Sequence, residues 1–169
     1  MVILKNDILT AAIHPFGARL AHIGFLNGPN LVLDADPEVY PDWAACYGGV
    51  IVGPVANRVS NAQAQIDGVA YQMEANEGPN CLHSGSDGVH ACLWSVCDET
   101  KTSATLTLTL PDGACGLPGT RRITACFALD ANALDLTLIA KTDKATLMAL
   151  AHHPYWPVSY THLTLPTIA

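Results

Sequence analysis

The chain has 169 residues, half of them apolar and only 14% charged, with a formal net charge of −7. That balance belongs to a core-rich globular domain and excludes a disordered one, and a single domain of about 150 residues buries roughly 70% of its unfolded surface. The eight Lys and Arg are dispersed, with Arg121-Arg122 the one adjacent pair; nucleic acid needs clustered cations against its phosphates, so an uncharged ligand suits this chain better than an anionic one.

In chain order, "MVILKNDILTAA" carries Lys5 and Asp7 inside what would have to be the apolar region of a signal peptide. No apolar run reaches about 18 residues, so no membrane span is expected and a cytoplasmic location is. "DILTAAIHPFGARLAHIGFLNG" reads as two short apolar strands around a His-Pro-Phe-Gly turn. "YGGVIVGPVANRV" (Tyr47 to Val59) is an apolar run broken by glycines and a proline, a strand leading into a loop. "NEGPNCLHSGSDGVHACLW" (Asn76 to Trp94) mixes histidines, acids and glycines with Leu, Cys and Trp, and reads as a loop that carries polar groups into a pocket.

The middle of the chain has the clearest periodicity. "SATLTLTLP" (Ser103 to Pro111) alternates Thr with Leu at period two, as a strand with one buried face does. In "RRITACFALDANALDLTLIAKT", Ile123, Ala125, Phe127 and Leu129 share one face, and Leu134, Leu136 and Leu138 repeat the pattern after "DANA". That is a hairpin. Eleven prolines and thirteen glycines leave no helical stretch of a dozen residues. The expected class is all-β, a large antiparallel sandwich. Six cysteines (46, 81, 92, 97, 115, 126) form no Cys-x-x-Cys pair and sit among apolar or small neighbours, as reduced buried thiols do.

After "LMALAHHPYWP" the chain ends in "VSYTHLTLPTIA", with no turn chemistry joining it to what precedes. Residues 158–169 are expected to be a non-native read-through tail, and residues 1–157 the N-terminal part of one domain.

Taken together, "YGGVIVGPVANRV", "IDGVAYQMEANEGPNCLHSG", "PDGACGLPGT" (Pro111 to Thr120) and "AHHPYWP" (Ala151 to Pro157) resemble the aldose 1-epimerase (galactose mutarotase) family in order and spacing, from Gly17 to Pro157. The resemblance implies an antiparallel β-sandwich of the galactose-mutarotase type, longer than this chain, that binds a free sugar in a groove on one sheet. It implies interconversion of α and β anomers of an aldose without metal, nucleotide or other cofactor. By position, His153 matches the family's general acid, while Arg58 and His83 match residues that hold sugar hydroxyls. The family's base is a glutamate near its C-terminus, with no counterpart among Glu74, Glu77 and Glu99. The chain is therefore expected to be an inactive fragment whose unpaired sheet edges favour aggregation. A sugar-binding sandwich without turnover and a hexose-6-phosphate 1-epimerase are the alternatives.

The chain departs from the family pattern at Ser84, where many relatives have glycine, at His152 and Pro157, where Asn or a similar residue is usual, and at Leu117, where an aromatic is commoner and the change alters either one wall of the groove or nothing. Arg58 is a lone cation after a long apolar run. The pair His152-His153 invites a metal reading, but successive strand residues point to opposite faces, and Pro154 holds His153 extended. His153 and Tyr155 should share a face, with His152 and Trp156 on the other. His14, His22 and His90 are expected to be structural or surface residues and Asp112 the stabiliser of its own turn; Trp94, Tyr71 and Tyr155 could stack on a sugar ring, though aromatics in a β-sandwich are more often core.

Overall fold

The computed structural model describes residues 1–33 and 47–157; the expected tail from 158 lies outside the described residues, as does Cys46. Strands β1 (Val2–Lys5), β2 (Leu9–His14) and β3 (Arg19–Phe25) form a three-stranded antiparallel sheet. A larger sheet has the order β12-β11-β10-β9, built from β9 (Ser95–Glu99), β10 (Ser103–Leu110), β11 (Arg121–Asp130) and β12 (Ala133–Thr142). The DANA segment is the β11–β12 turn, with Asp130 paired to Ala133 and a continuous ten-residue register out to Arg121 and Thr142.

The period-two reading of this region holds. Ile123, Ala125 and Phe127 are fully buried and Leu129 nearly so, as are Ala104, Leu106 and Leu110 of β10. Val2 and Leu4 of β1, with Leu9, Ala11 and Ile13 of β2, join them in one apolar core. The two sheets thus bury their inner faces against each other, the arrangement of an all-β sandwich. Backbone bonds from Lys5 N to Lys101 O (2.7 Å) and from Leu129 N to Thr102 O (2.8 Å) tie the rim.

Between the sheets' ends lie short pairs that carry the loops. β4 (Ile51–Val52) pairs with β13 (Ala151–His152), β5 (Arg58–Val59) pairs with β8 (Cys81–Leu82), and β6 (Gln63–Ile66) pairs with β7 (Val69–Gln72). Each is antiparallel. A second, smaller core of Ala62, Ala64, Met73, Cys81 and Leu117 lies beneath β5 to β8. Leu117 is fully buried there and packs this core. Asp112 does stabilise its own turn: one carboxylate oxygen accepts the Gly119 N–H at 2.6 Å and the other meets Lys144 Nζ at 2.5 Å.

Trp94 is buried, with its indole N–H donating to Val89 O at 3.0 Å, so it anchors the end of the 76–94 stretch in the main core. The five described cysteines are free. Among the described residues no helix is long and apolar enough to cross a membrane.

Phe127 is the largest apolar side chain β11 gives to the core. Phe127→Ala is expected to cost about 3–5 kcal/mol in urea unfolding, and Ile139→Thr on the exposed edge strand less than about 0.5 kcal/mol.

Candidate functional site

The geometry begins at Gly49. Its N–H donates to His153 O (2.9 Å), while its carbonyl accepts from Leu20 N (2.8 Å) and from His152 Nε2 (3.1 Å). His153 N donates to Val50 O at 2.9 Å. Gly49 has φ +74, and a Cβ there would run into the Leu20 carbonyl, so this junction accepts only glycine.

That pairing sets which way the two histidines face. Cross-strand partners share a face, and His152 pairs with the fully buried Ile51. His152 therefore turns toward the core, where its ring meets Phe127 edge-on at 6.1 Å. His153, one residue on, points the other way and lies against Tyr155 (5.2 Å), Tyr47 (6.2 Å) and His83 (5.5 Å between ring centroids, rings nearly perpendicular). Tyr155 is thus an exposed ring on the site face and not a core residue.

His83 arrives from β8. Asn76 clamps the preceding residue twice, donating to Leu82 O (3.0 Å) and accepting from Leu82 N (2.7 Å). His83 and Ser84 then both take positive φ, 52° and 70°, as do Tyr47 at 55° and Asn57 at 65°. Four non-glycine residues in the left-handed region within one site is strain held in place by surrounding bonds. Ser84 supplies one of those bonds: its hydroxyl accepts from Val55 N (2.8 Å) and donates to Val55 O (3.2 Å), a clamp that glycine could not make.

The Asn57 backbone N–H donates to His83 Nδ1 at 3.0 Å. This fixes the tautomer with the proton on Nε2, facing the site. Burial first, then the charges of His153 and Arg58, lower the His83 pKa, with Glu77 opposing. His83 is a fixed neutral donor.

Arg58 sits directly opposite Leu82 in the β5–β8 pair. This lone cation of the 47–59 run has an anionic partner. Its Nε and Nη2 donate to the two Glu77 carboxylate oxygens at 2.5 and 2.6 Å, and its Nη1 lies 3.4 Å from Asn57 Oδ1. Asn57 thus links the guanidinium and the His83 ring, and the three expected residues share one neighbourhood.

Three more residues belong to this site that sequence reasoning did not place there. Tyr47 meets His83 edge-on at 4.6 Å and His90 at 4.9 Å. His90, half-buried, backs Tyr47, and burial pushes its pKa down to about 4. Glu77 holds Arg58. The one signal for Tyr47 was its place at the head of the Tyr-Gly-Gly run; His90 and Glu77 carried none, since both contacts are made across loops. Among the described residues no group of His, Cys, Asp and Glu has the arrangement of a metal site.

A fold of two packed antiparallel sheets with a polar histidine–arginine cluster at its loop end defines a galactose-mutarotase-like sandwich. The family model for aldose 1-epimerase matches residues 1–166, and the chain belongs to that family. It is 32% identical over 110 residues to the galactose mutarotase of Bos taurus, covering 65% of this chain and 32% of that one. With the aldose 1-epimerase of Escherichia coli K12 it shares 31% identity over 123 residues, 72% of this chain and 35% of that one. Its structure superposes on an aldose epimerase homologue from C. elegans with a TM-score of 0.83, at 33% identity over 92% of this chain and 50% of that one. A galactose 1-epimerase from Lactobacillus acidophilus gives 0.78 at 30% identity, over 91% and 47%. The chain thus spans about a third of the length of these curated relatives.

Gly49→Ala is expected to lose more than about 2 kcal/mol in urea unfolding, because a left-handed backbone and a blocked Cβ combine. A second outcome concerns pH. Burial lowers the His152 pKa from 6.5 to about 4, so the folded state resists protonation while the unfolded chain accepts it. Stability from this residue is fully present above pH 6.5 and falls as pH drops toward 4, by on the order of 3 kcal/mol. His152→Asn should flatten that part of the urea-midpoint profile between pH 7 and pH 4.

Proposed function

We propose that these residues form part of the active site of an aldose 1-epimerase acting on a free, uncharged hexose, with His153 as the general acid and Arg58 and His83 as sugar-binding donors. The observation that carries this reading is the pair of imidazoles at 83 and 153, 5.5 Å apart on one polar floor beside Tyr47 and Tyr155.

The two rings differ in what they can do. Protonating His83 at Nδ1 would set an N–H against the Asn57 N–H that now points at it, so His83 serves as a donor from Nε2 and not as a proton carrier. Among the described residues His153 has no such backbone bond on its ring, which leaves it able to give and retake a proton. As the C1–O5 bond breaks, His153 protonates the ring oxygen while a base takes the proton from the anomeric hydroxyl. The open aldehyde turns about C1–C2, and the steps reverse on the other face. Arg58 and His83 hold sugar oxygens so that the opening bond stays aligned with His153.

Of the carboxylates whose charge reaches Tyr47, Glu77 is taken by Arg58 and Glu74 accepts from Ser86 N and Oγ at 2.6 and 2.7 Å. The base is accordingly proposed to lie outside the described residues, and the described residues alone are proposed to bind sugar without turnover. The hexose-6-phosphate alternative is disfavoured because the cation at the site is already matched by a carboxylate.

In the longer gene product, His153→Asn should slow the optical-rotation change of fresh α-D-galactose by about 10²–10⁴-fold, while Arg58→Ala and His83→Ala should mainly raise KM. An enzyme that keeps its full rate after His153→Asn would sink the assignment of the acid.

A further inference from the structure

The Arg58–Glu77 pair has features that folding alone does not ask for. Both partners are anchored through their backbones. Arg58 is fixed by its pairing with Leu82, and Glu77 exchanges two backbone bonds with Asn80 (3.1 and 3.0 Å) across the Gly78-Pro79 turn. The guanidinium meets the carboxylate through two parallel bonds, the geometry that gives an arginine a defined direction. Yet both side chains remain substantially exposed, 55% and 39%, and an exposed ion pair contributes little to stability.

Donor accounting shows what the pair leaves available. A guanidinium has five N–H bonds; Glu77 takes the Nε one and one on Nη2, and Asn57 Oδ1 takes one on Nη1 at 3.4 Å, so two donors, one on each terminal nitrogen, remain for a ligand. Charge accounting shows what it withholds. The groups whose charge acts on the cluster are Arg58 and His153 on one side and Glu77 and Glu74 on the other. Without Glu77 the cation would stand unmatched in a site of positive donors, the standard means of holding a carboxylate or phosphate.

Building on the hexose reading above, we propose that Glu77 is a positioning and specificity residue: it aims Arg58 at an uncharged sugar and, by matching its charge, turns away hexoses that carry a carboxylate or a phosphate. Glu77 selects by supplying a repulsive element beside an attractive one.

The test is titration of the protein with D-galactose, D-galacturonate and D-galactose 6-phosphate, followed by the NMR signals of the His83 and His153 rings. The wild-type chain should prefer galactose. Glu77→Gln should weaken galactose and strengthen both anions, narrowing the preference by about 3–10-fold, as one unscreened charge at this range implies. The gain for the anions should fade in 0.5 M salt, about where screening reaches contact distance. Glu77→Asp, which keeps the charge but shortens the reach, should weaken galactose and still turn the anions away. A Glu77→Gln variant whose three affinities are unchanged, or all change by one factor, overturns this inference while leaving the hexose site standing. A folded wild-type protein, with dispersed amide signals, whose histidine signals respond to none of the three sugars overturns both.

Discussion

Three hydrogen bonds on the backbone of one residue, Gly49, hold the rest of the site together. Through its carbonyl Gly49 is joined to β3 by Leu20 and to the His152 ring, and through its N–H it is joined to the carbonyl of His153. These contacts reach more than a hundred residues along the chain, from the 47–52 segment to the 151–153 segment. A shift of one residue in this register would exchange the faces of His152 and His153, sending the ring now beside Tyr47 into the core. The His152 ring reinforces the register from the other side. It is buried against Phe127, where a charged imidazole would be costly, and as a neutral ring its Nε2–H is the donor the Gly49 carbonyl needs.

Electrostatically the site is built around uncharged donors. His83 is locked as a neutral Nε2–H donor by the Asn57 amide, and burial keeps His90 and His152 neutral well into the acid range. The single guanidinium is matched by a carboxylate. A site composed this way can offer many hydrogen bonds with little net field, which fits a polyhydroxyl ligand better than an ionic one. The left-handed residues at 47, 57, 83 and 84 belong to the same design. They let short loops aim rings inward, and the strain is carried by Ser84, Asn76 and the β5–β8 pair.

The regular sheets were legible in the sequence and the site was legible only in part. Strands β10, β11 and β12 could be read residue by residue because a strand with one buried face prints its period directly onto the chain: Leu106, Ile123 and Phe127 are inside and the alternating threonines are not. The same rule separated His152 from His153, since two neighbours on a strand cannot share a face. The two-residue pairs β4, β5, β8 and β13 are too short to leave a period, and their positions came from turn residues and family motifs. For Tyr155 the general habit of sandwich aromatics favoured the core, while its parity with His153 favoured the site face, and the parity prevailed. For Leu117 the sequence left open whether the groove is touched, and the 111–120 turn folds it into the second core.

Composition and periodicity by themselves determined an all-β chain with a large apolar core, short of cations, and the motifs named Arg58, His83 and His153. Those are local properties, written in spacing, parity and residue type. The tertiary structure decided that Glu77 lies on Arg58, that Asn57 sets the His83 tautomer, and that Tyr47 and His90 stand behind it. Each of these contacts joins residues on separate loops, and loop geometry depends on long-range backbone bonds such as those at Gly49, which no local pattern encodes.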